Sequence, residues 1–267
     1  MSRQRSSCEV RSLQWRDGHL RHVDRTIPDE TAVALVHDAS TTAVMMATFA
    51  DLEDFGVGFS FTEGIITHPS QIRDLEVVEE PDGVEVRMWL SAERSAWLSA
   101  RRRLLTGPTG CGLCGVESLA EAARDLPKIG GDRRLTASQV LTAVSALSPL
   151  QSLGAATRGT HAAGFWTPDR GMVVVREDVG RHNALDKVAG AMARIGENAV
   201  NGAVVLTSRV SVEMVQKAAM LSAPIVIAVS APTGLAVRTA EACGLTLAAV
   251  ARSDGFEVFT HPERIIA

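Results

Sequence analysis

In the first third of the chain, apolar and polar positions alternate with the two-residue period of β-strands. The runs that alternate in this way are residues 32–36, 43–47, 72–78 and 84–90. Polar turn residues join the first two, and Pro81-Asp82-Gly83 joins the last two, so the pattern predicts two β-hairpins. Between the hairpins, Leu52, Phe55 and Phe59 follow a helical period, which predicts a helix over residues 51–62 with Asp51 as its N-cap.

The second half of the chain alternates predicted strands with predicted helices. Strands are predicted at residues 162–166, 172–176, 203–207, 225–230 and 245–250, with an edge strand at 256–260. Helices are predicted at residues 182–195, 212–221 and 234–242, after an earlier helix that opens with a Thr136–Gln139 capping box and ends at Pro149. This order predicts an α/β fold with a largely parallel mixed sheet.

The same patterns predict how the chain is divided. Residues 1–28 are rich in Arg and Ser and are predicted to be a loose tail. Residues 29–134 form a part rich in β-hairpins that ends in a loop containing two cysteines. Residues 135–267 form the α/β core.

The glycine-rich stretch from Thr106 to Gly115 places two thiols, Cys111 and Cys114, three positions apart. The residues that follow read as a short helix, and a helix N-terminus favours the thiolate form of a nearby cysteine. A single C-x-x-C is also compatible with half of a structural zinc site, a redox pair, or no role. Since Cys8 and Cys243 are isolated, no second pair completes a zinc site. Spacing alone leaves these alternatives open.

Composition restricts the class of protein. The chain has 267 residues, 46% of them hydrophobic, a net charge of −4 and no tyrosine. These values argue against general nucleic-acid or membrane-surface binding. No apolar run resembles a signal peptide or reaches the length of a membrane helix, and four cysteines suit a reducing compartment. A cytoplasmic protein is therefore expected.

A second polar cluster, EDVGRHNALDK at residues 177–187, follows a predicted strand and opens a predicted helix. One interpretation is a solvated helix start, capped by Asp178 and Asn183. The other is an anion site, because Arg181 and His182 lie where a helix N-terminus favours negative charge. Arg209 stands in a similar turn after the next strand.

Several motifs taken together resemble one family, the formate dehydrogenase accessory sulfurtransferases (FdhD). They are GCGLCG at 110–115, RGTHAAGFW at 158–166, REDVGRHNALDKVAGAM at 176–192, SRVSVEMVQKA at 208–218 and SAPTGLAV at 230–237, together with FTEGII at 61–66 and FEVFTHPERI at 256–265. They occur in the family's order from about residue 31 to the end.

The resemblance implies a three-layer core like that of cytidine deaminases and a sulfur carrier that works as a homodimer. Cys111 would carry a persulfide received from a cysteine desulfurase, with Cys114 assisting. The recipient would be a molybdenum bis(molybdopterin guanine dinucleotide) cofactor destined for formate dehydrogenase, bound as a substrate, with no permanent cofactor and no metal site. The guanine part would contact Phe256, Glu257, Val258, Phe259, Thr260 and His261, and the turns at Arg181, His182 and Arg209 would hold the pyrophosphates.

Three other functions stay open at this point. A zinc deaminase needs H-x-E before its C-x-x-C, whereas His161-Ala162-Ala163 comes after the motif and lacks the acid, although Cys111, Cys114 and His161 could still hold a metal. A thioredoxin-like dithiol protein would carry its C-x-x-C early in a βαβ unit, which the preceding hairpins do not provide. The third is a chaperone that binds the cofactor without chemistry.

Overall fold

The computed structural model describes residues 5–105 and 125–267. The strands are β1 Ser7–Arg16, β2 His19–Pro28, β3 Thr31–His37, β4 Ser40–Ala47, β5 Ile72–Glu80, β6 Gly83–Leu90, β7 Leu135–Thr136, β8 His161–Thr167, β9 Gly171–Asp178, β10 Ala203–Leu206, β11 Ile225–Ala228, β12 Thr246–Arg252, β13 Gly255–Thr260 and β14 Ile265–Ile266. The helices are α1 Leu52–Thr62, α2 Ala92–Leu105, α3 Ala137–Leu147, α4 Ser152–Thr157, α5 Arg181–Arg194, α6 Val212–Met220 and α7 Gly234–Cys243.

The core of the second half is a six-stranded sheet in the order β13-β12-β11-β10-β8-β9. Apolar side chains of α5, α6 and α7 pack on one face, and those of α3 pack on the other. The predicted strands and helices are confirmed to within a few residues, including the capping box that opens α3, in which Thr136 and Gln139 bond to each other's backbone. The arrangement is three layers of helix, sheet and helix.

The prediction of a largely parallel sheet is wrong. Among the described pairs of this six-stranded sheet, β10–β11 and β11–β12 are parallel, whereas β12–β13, β10–β8 and β8–β9 are antiparallel. The reason is the length of the connections. Tight turns join β8 to β9 and β12 to β13, and a short turn can only return a strand antiparallel to its predecessor. The sheet is mixed, and its likeness to cytidine deaminases stays a prediction.

The first half forms a four-stranded sheet in the order β4-β3-β6-β5, which confirms both predicted hairpins. Helix α1 covers one face of this sheet through Leu52 and Phe55. The predicted capping by Asp51 is wrong. This residue has the left-handed conformation, with φ 52°, and its side chain makes no capping bond.

The expectation of a loose tail over residues 1–28 is also wrong for the described part. β1 and β2 pair along their whole length around Asp17 and Gly18, both of which have positive φ. An Asp-Gly pair with this conformation is a strong signal for a tight hairpin turn. The signal was present in the sequence, but the many arginines obscured the alternation of Val10 with its polar neighbours.

Candidate functional site

The candidate site is the edge of the six-stranded sheet at which the parallel strands β10 and β11 end and the helices α5, α6 and α7 begin. β8 runs antiparallel to β10, so His161, the first residue of β8, lies at the same edge. In α/β proteins ligands bind at this edge, because loops and helix N-termini converge there. The arrangement explains why the sequence motifs fall at the ends of strands.

Arg181 and His182 are the first two residues of α5, and neither α5 nor the neighbouring α6 is capped by a side chain. The cap residues are Gly180, which has none, and Ser211, whose side chain makes no capping bond. Arg181 Nε and His182 Nε2 are buried atoms without a hydrogen-bond partner in the structure. Uncapped helix N-termini with an adjacent arginine favour an anionic ligand.

The electrostatics of this edge combine the permanent charge of Arg181 with two neutral imidazoles. Burial, followed by the charges of Arg181 and Lys217, lowers the pKa of His182 to about 4. Burial and Arg181 also lower the pKa of His161. At neutral pH both histidines are therefore uncharged, and each can donate one hydrogen bond and accept another. Arg181 supplies the positive charge.

The turn that precedes Arg181 and His182 is held in place by hydrogen bonds to Asp178. Its carboxylate accepts hydrogen bonds from Gly180 N (2.8 Å), Asn183 Nδ2 (2.9 Å) and Thr48 N (3.0 Å). It also pairs with Lys187 Nζ at 2.6 Å, and both side chains are completely buried. Sequence reasoning grouped Asp178, Asn183 and Lys187 with the exposed polar residues of a helix start, but the structure gives them a structural role.

A second buried network lies one turn further along α5. Asp186 accepts a hydrogen bond from Thr62 Oγ1 at 2.6 Å and pairs with Lys217 Nζ at 3.0 Å. Lys217 also contacts Glu63 at 2.8 Å. Burial raises the pKa of Asp186, whereas in Lys217 the carboxylates of Asp186 and Glu63 outweigh burial and raise the pKa. Sequence reasoning missed Lys217; the signal was a lysine three residues after Met214, on the face of α6 that is buried.

Comparison with known proteins identifies the family to which this chain belongs. The FdhD/NarQ family profile matches residues 28–266. The chain is 49% identical over 252 residues to the sulfur carrier protein FdhD of Agrobacterium fabrum, covering 94% of this chain and 93% of that one. It is 48% identical over 267 residues to the protein of the same name from Brucella abortus, covering 100% and 99%. The chain belongs to the FdhD/NarQ family.

A solved structure agrees with this family assignment, which confirms the resemblance seen in the sequence motifs. The crystal structure of a proposed formate dehydrogenase accessory protein from Desulfotalea psychrophila superposes with a TM-score of 0.77 at 28% identity. The match covers 97% of this chain and 99% of that one. The two proteins therefore share the fold over nearly their whole length.

Not all the residues assigned from the family motifs come together. Arg209 is exposed in the turn after β10, at the same edge as Arg181 and His182. Phe256, Glu257, Val258, Phe259 and Thr260 lie along the edge strand β13, which starts near this edge and runs away from it. Thr260 and His261 therefore lie at the opposite edge. The Thr260 hydroxyl donates to Leu245 O and accepts from Leu247 N, so it supports the sheet.

Cys111 and Cys114 lie outside the described residues. Within the two described ranges, no three His, Cys, Asp or Glu side chains form a group that could hold a metal ion. The zinc alternative named Cys111 and Cys114 beside His161, so it stays untested. None of the helices in the described part of the chain is long and apolar enough to span a membrane.

Proposed function

We propose that this protein is a sulfur carrier that serves the maturation of formate dehydrogenase. The observation that carries the proposal is the match over nearly the full chain to relatives named sulfur carrier protein FdhD. A structurally similar protein described as a proposed formate dehydrogenase accessory protein adds support. The uncapped helix starts with Arg181 and His182 supply a surface that suits an anionic, phosphate-bearing recipient.

Sulfur loading at Cys111 is a thiol–disulfide exchange. The Cys111 thiolate attacks the outer sulfur of a persulfide on a cysteine desulfurase, and the sulfur–sulfur bond of that persulfide breaks. The desulfurase cysteine leaves as a thiolate, while Cys111 becomes the persulfide. No electrons are gained or lost overall, so this step needs no further oxidant.

Delivery uses the second thiol. The Cys114 thiolate attacks the inner sulfur of the Cys111 persulfide and expels the outer sulfur as hydrosulfide, leaving a Cys111–Cys114 disulfide. The hydrosulfide passes to the molybdenum bis(molybdopterin guanine dinucleotide) cofactor, which is the substrate of this step. A thiol reductant then returns both cysteines to thiols. The two cysteines are therefore not equivalent.

The recipient's phosphates are assigned to the candidate site edge. Arg181 and Arg209 supply guanidinium groups that bind phosphate oxygens in pairs, and His182 supplies a neutral hydrogen-bonding group. For the guanine part we propose Glu257 and Phe259 from the C-terminal segment, because both are exposed on β13 while Thr260 is buried. Among the predicted contacts to guanine, the one by His261 has the least support from the structure, since His261 follows the end of β13 that lies away from the candidate site.

Intact-mass spectrometry tests the loading step. The protein is incubated with a cysteine desulfurase and cysteine, and the expected product carries the mass of one added sulfur atom. Cys111→Ala abolishes loading, whereas Cys114→Ala loads sulfur but activates formate dehydrogenase poorly. Cys8→Ala is the matched control, because Cys8 is a free, partly exposed cysteine on the β1–β2 hairpin. It should load as the unmodified protein does.

Two results would oppose the proposal. Persulfide on Cys111→Ala but not on Cys114→Ala would reverse the roles of the two thiols. A double variant lacking both thiols that still activates formate dehydrogenase would exclude sulfur carriage and favour a chaperone that only binds the cofactor.

A further inference from the structure

The four-stranded sheet of the first half exposes apolar side chains on one of its faces. Helix α1 packs on the inner face through Leu52 and Phe55, and strand alternation directs every second side chain to the other face, which we call the outer face. On the outer face Val44 is 53% exposed, Met46 50% and Trp89 37%. A group of exposed apolar side chains on one surface is typical of a contact site.

Short side chains run along the middle of the outer face. Ala32 and Ala34 of β3 lie between larger residues of the neighbouring strands, since Ala32 pairs with Met46 and Ala34 pairs with Val44 on one side and Glu85 on the other. The larger side chains therefore rise on both sides of β3. The result is a shallow groove that is apolar along β4 and acidic along β6.

The β5–β6 side of the outer face has a negative charge. Arg87 lies 3.5 Å from Glu76, 3.1 Å from Glu80 and 2.6 Å from Glu85. Three carboxylates and one guanidinium leave this cluster a net charge of −2. The side chains of Glu76 and Glu80 are 50% and 45% exposed, so their charge is available to a partner. Such a surface is complementary to a basic protein surface.

The outer face adjoins the candidate site. The carbonyl oxygen of Met46 accepts a hydrogen bond from Asn183 Nδ2 at 2.9 Å, and Asn183 is the third residue of α5, two positions after Arg181. Thr48 N, just beyond β4, donates to Asp178 in the turn before α5. A protein seated on the outer face would therefore lie next to an anion bound at the start of α5.

The proposed function supplies a partner with the matching charge. The recipient cofactor carries several phosphate groups and is destined for formate dehydrogenase. An apoenzyme that takes up such a polyanion needs arginine and lysine at the entrance to its cofactor site, so that entrance is basic. The sulfur donor receives no polyanion from this protein, and its surface is not expected to be basic for this reason.

We infer that the outer face is the docking surface for the cofactor-free form of formate dehydrogenase. The apolar groove along β3 supplies the contact, and Glu76 and Glu80 orient the basic entrance of the client towards the phosphates held at Arg181. This assignment rests on the proposed function for the identity of the client. It does not rest on the thiol chemistry, because the outer face contains neither Cys111 nor Cys114.

The first test measures binding of the full chain to the purified, cofactor-free formate dehydrogenase of the same organism by biolayer interferometry. Val44→Ala combined with Met46→Ala should raise the dissociation constant about tenfold or more, because both side chains are at the centre of the contact. Ile195→Ala is the matched control: Ile195 is 61% exposed and follows the last residue of α5, away from the outer face. The control variant should bind as the unmodified chain does.

The second test reverses the charge of the outer face. Glu76→Lys combined with Glu80→Lys leaves Arg87 its closest partner, Glu85, at 2.6 Å. At low salt this variant should bind the apoenzyme about tenfold more weakly or worse, and its binding should depend less on salt. Asp132→Lys combined with Asp169→Lys is the control, because both residues are exposed and lie outside the outer face. It changes the net charge by the same amount and should bind normally.

Sulfur loading is measured on the same variants, so that this inference and the sulfur-carrier proposal can fail separately. Both outer-face variants should gain the mass of one sulfur atom from a cysteine desulfurase and cysteine, yet activate formate dehydrogenase poorly. Cys111→Ala should bind the apoenzyme with an unchanged dissociation constant. Binding that depends on the outer face in a chain that never loads sulfur would support the docking surface and remove sulfur carriage alone.

Three outcomes would overturn the inference. One is an unmodified chain that loads sulfur but does not bind the apoenzyme. Another is binding that both outer-face variants leave unchanged. The last is a loss of binding to the cysteine desulfurase, or of self-association, in these variants while the apoenzyme still binds. Circular dichroism of each variant separates these outcomes from misfolding, and the substituted side chains are largely exposed, where replacement costs little stability.

Discussion

His37 shows how a single buried residue makes this fold sensitive to pH. Its ring is fully buried and bonds to Thr42 Oγ1 and Ser60 Oγ, each at 2.8 Å. Burial, and then the nearby charge of Arg102, lower its pKa from 6.5 to about 4. In the unfolded chain His37 takes up a proton as the pH falls through 6.5, whereas in the folded chain it does so only near pH 4. Acid therefore favours the unfolded state between these two values.

The first prediction follows from the lowered pKa of His37. The free energy of unfolding should fall as pH drops from 6.5 towards 4, and His37 alone should account for about 2 kcal/mol at pH 5. His37→Gln should be less stable at pH 7.5 yet lose about 2 kcal/mol less on acidification. Denaturant unfolding at pH 7.5 and pH 5 measures both. His19→Gln, an exposed substitution on the hairpin, is the control, and an unchanged pH dependence in His37→Gln would contradict the assignment.

At the scale of elements, the contact between α1 and α5 is made by glycines. A Cβ atom on Gly58 would lie 1.7 Å from Asp186 O, and one on Gly190 would lie 1.8 Å from Asp54 O. The two helix backbones therefore touch, which no other residue type would permit. This close approach brings Thr62 within hydrogen-bonding distance of Asp186 and joins the two halves of the chain.

The second prediction tests the close contact between α1 and α5. Gly58→Ala should lower the free energy of unfolding by about 3 kcal/mol or more, because the backbone on the far side cannot yield as a flexible side chain would. Gly130→Ala provides the control, since a Cβ there would meet nothing within 4 Å. Thermal melts of the two variants give the comparison. Equal melting temperatures would mean that the helices separate at little cost.

At the scale of the whole molecule, hydrogen bonds and ion pairs connect the two halves of the chain. Lys187 of α5 donates to Thr48 O at 2.9 Å and pairs with Asp178 at the end of β9. Thr48 directly follows β4, so the edge of the four-stranded sheet is tied to the candidate site. Asp54 of α1 accepts hydrogen bonds from two arginines of the second half, from Arg176 Nη2 at 2.6 Å and from Arg194 Nη1 at 2.7 Å. The halves should therefore unfold together.

The third prediction concerns this coupling. Lys187→Met leaves the buried Asp178 carboxylate without its counter-ion, which costs about 3–5 kcal/mol. Hydrogen exchange should show β3 and β10 losing protection together in this variant. Lys128→Met, at an exposed lysine that bonds only to Ala242 O among the described contacts, should leave exchange unchanged. Loss of protection in β10 alone would show that the two sheets are independent units.

The sequence by itself determined the local elements and the family. Alternation and helical period depend on neighbours along the chain, so the hairpins and the helices α5, α6 and α7 could be read directly. The motif series likewise predicted the family that the profile confirms. Even the hairpin of residues 7–28, predicted as a loose tail, carried a readable turn signal at Asp17 and Gly18.

Only the tertiary structure decided which polar residues are buried and how the strands are directed. In the sequence Asp178, Asp186 and Lys187 look like exposed residues of a helix start. In the structure all three are buried: Asp178 bonds to Lys187 and to Thr48, which follows β4, and Asp186 pairs with Lys217 of α6. Burial depends on segments more than a hundred positions away, which no local pattern contains. Strand direction depends in the same way on which strands become neighbours. For that reason the site's supporting residues, and the separation of Thr260 from Arg181, could be seen only in the folded chain.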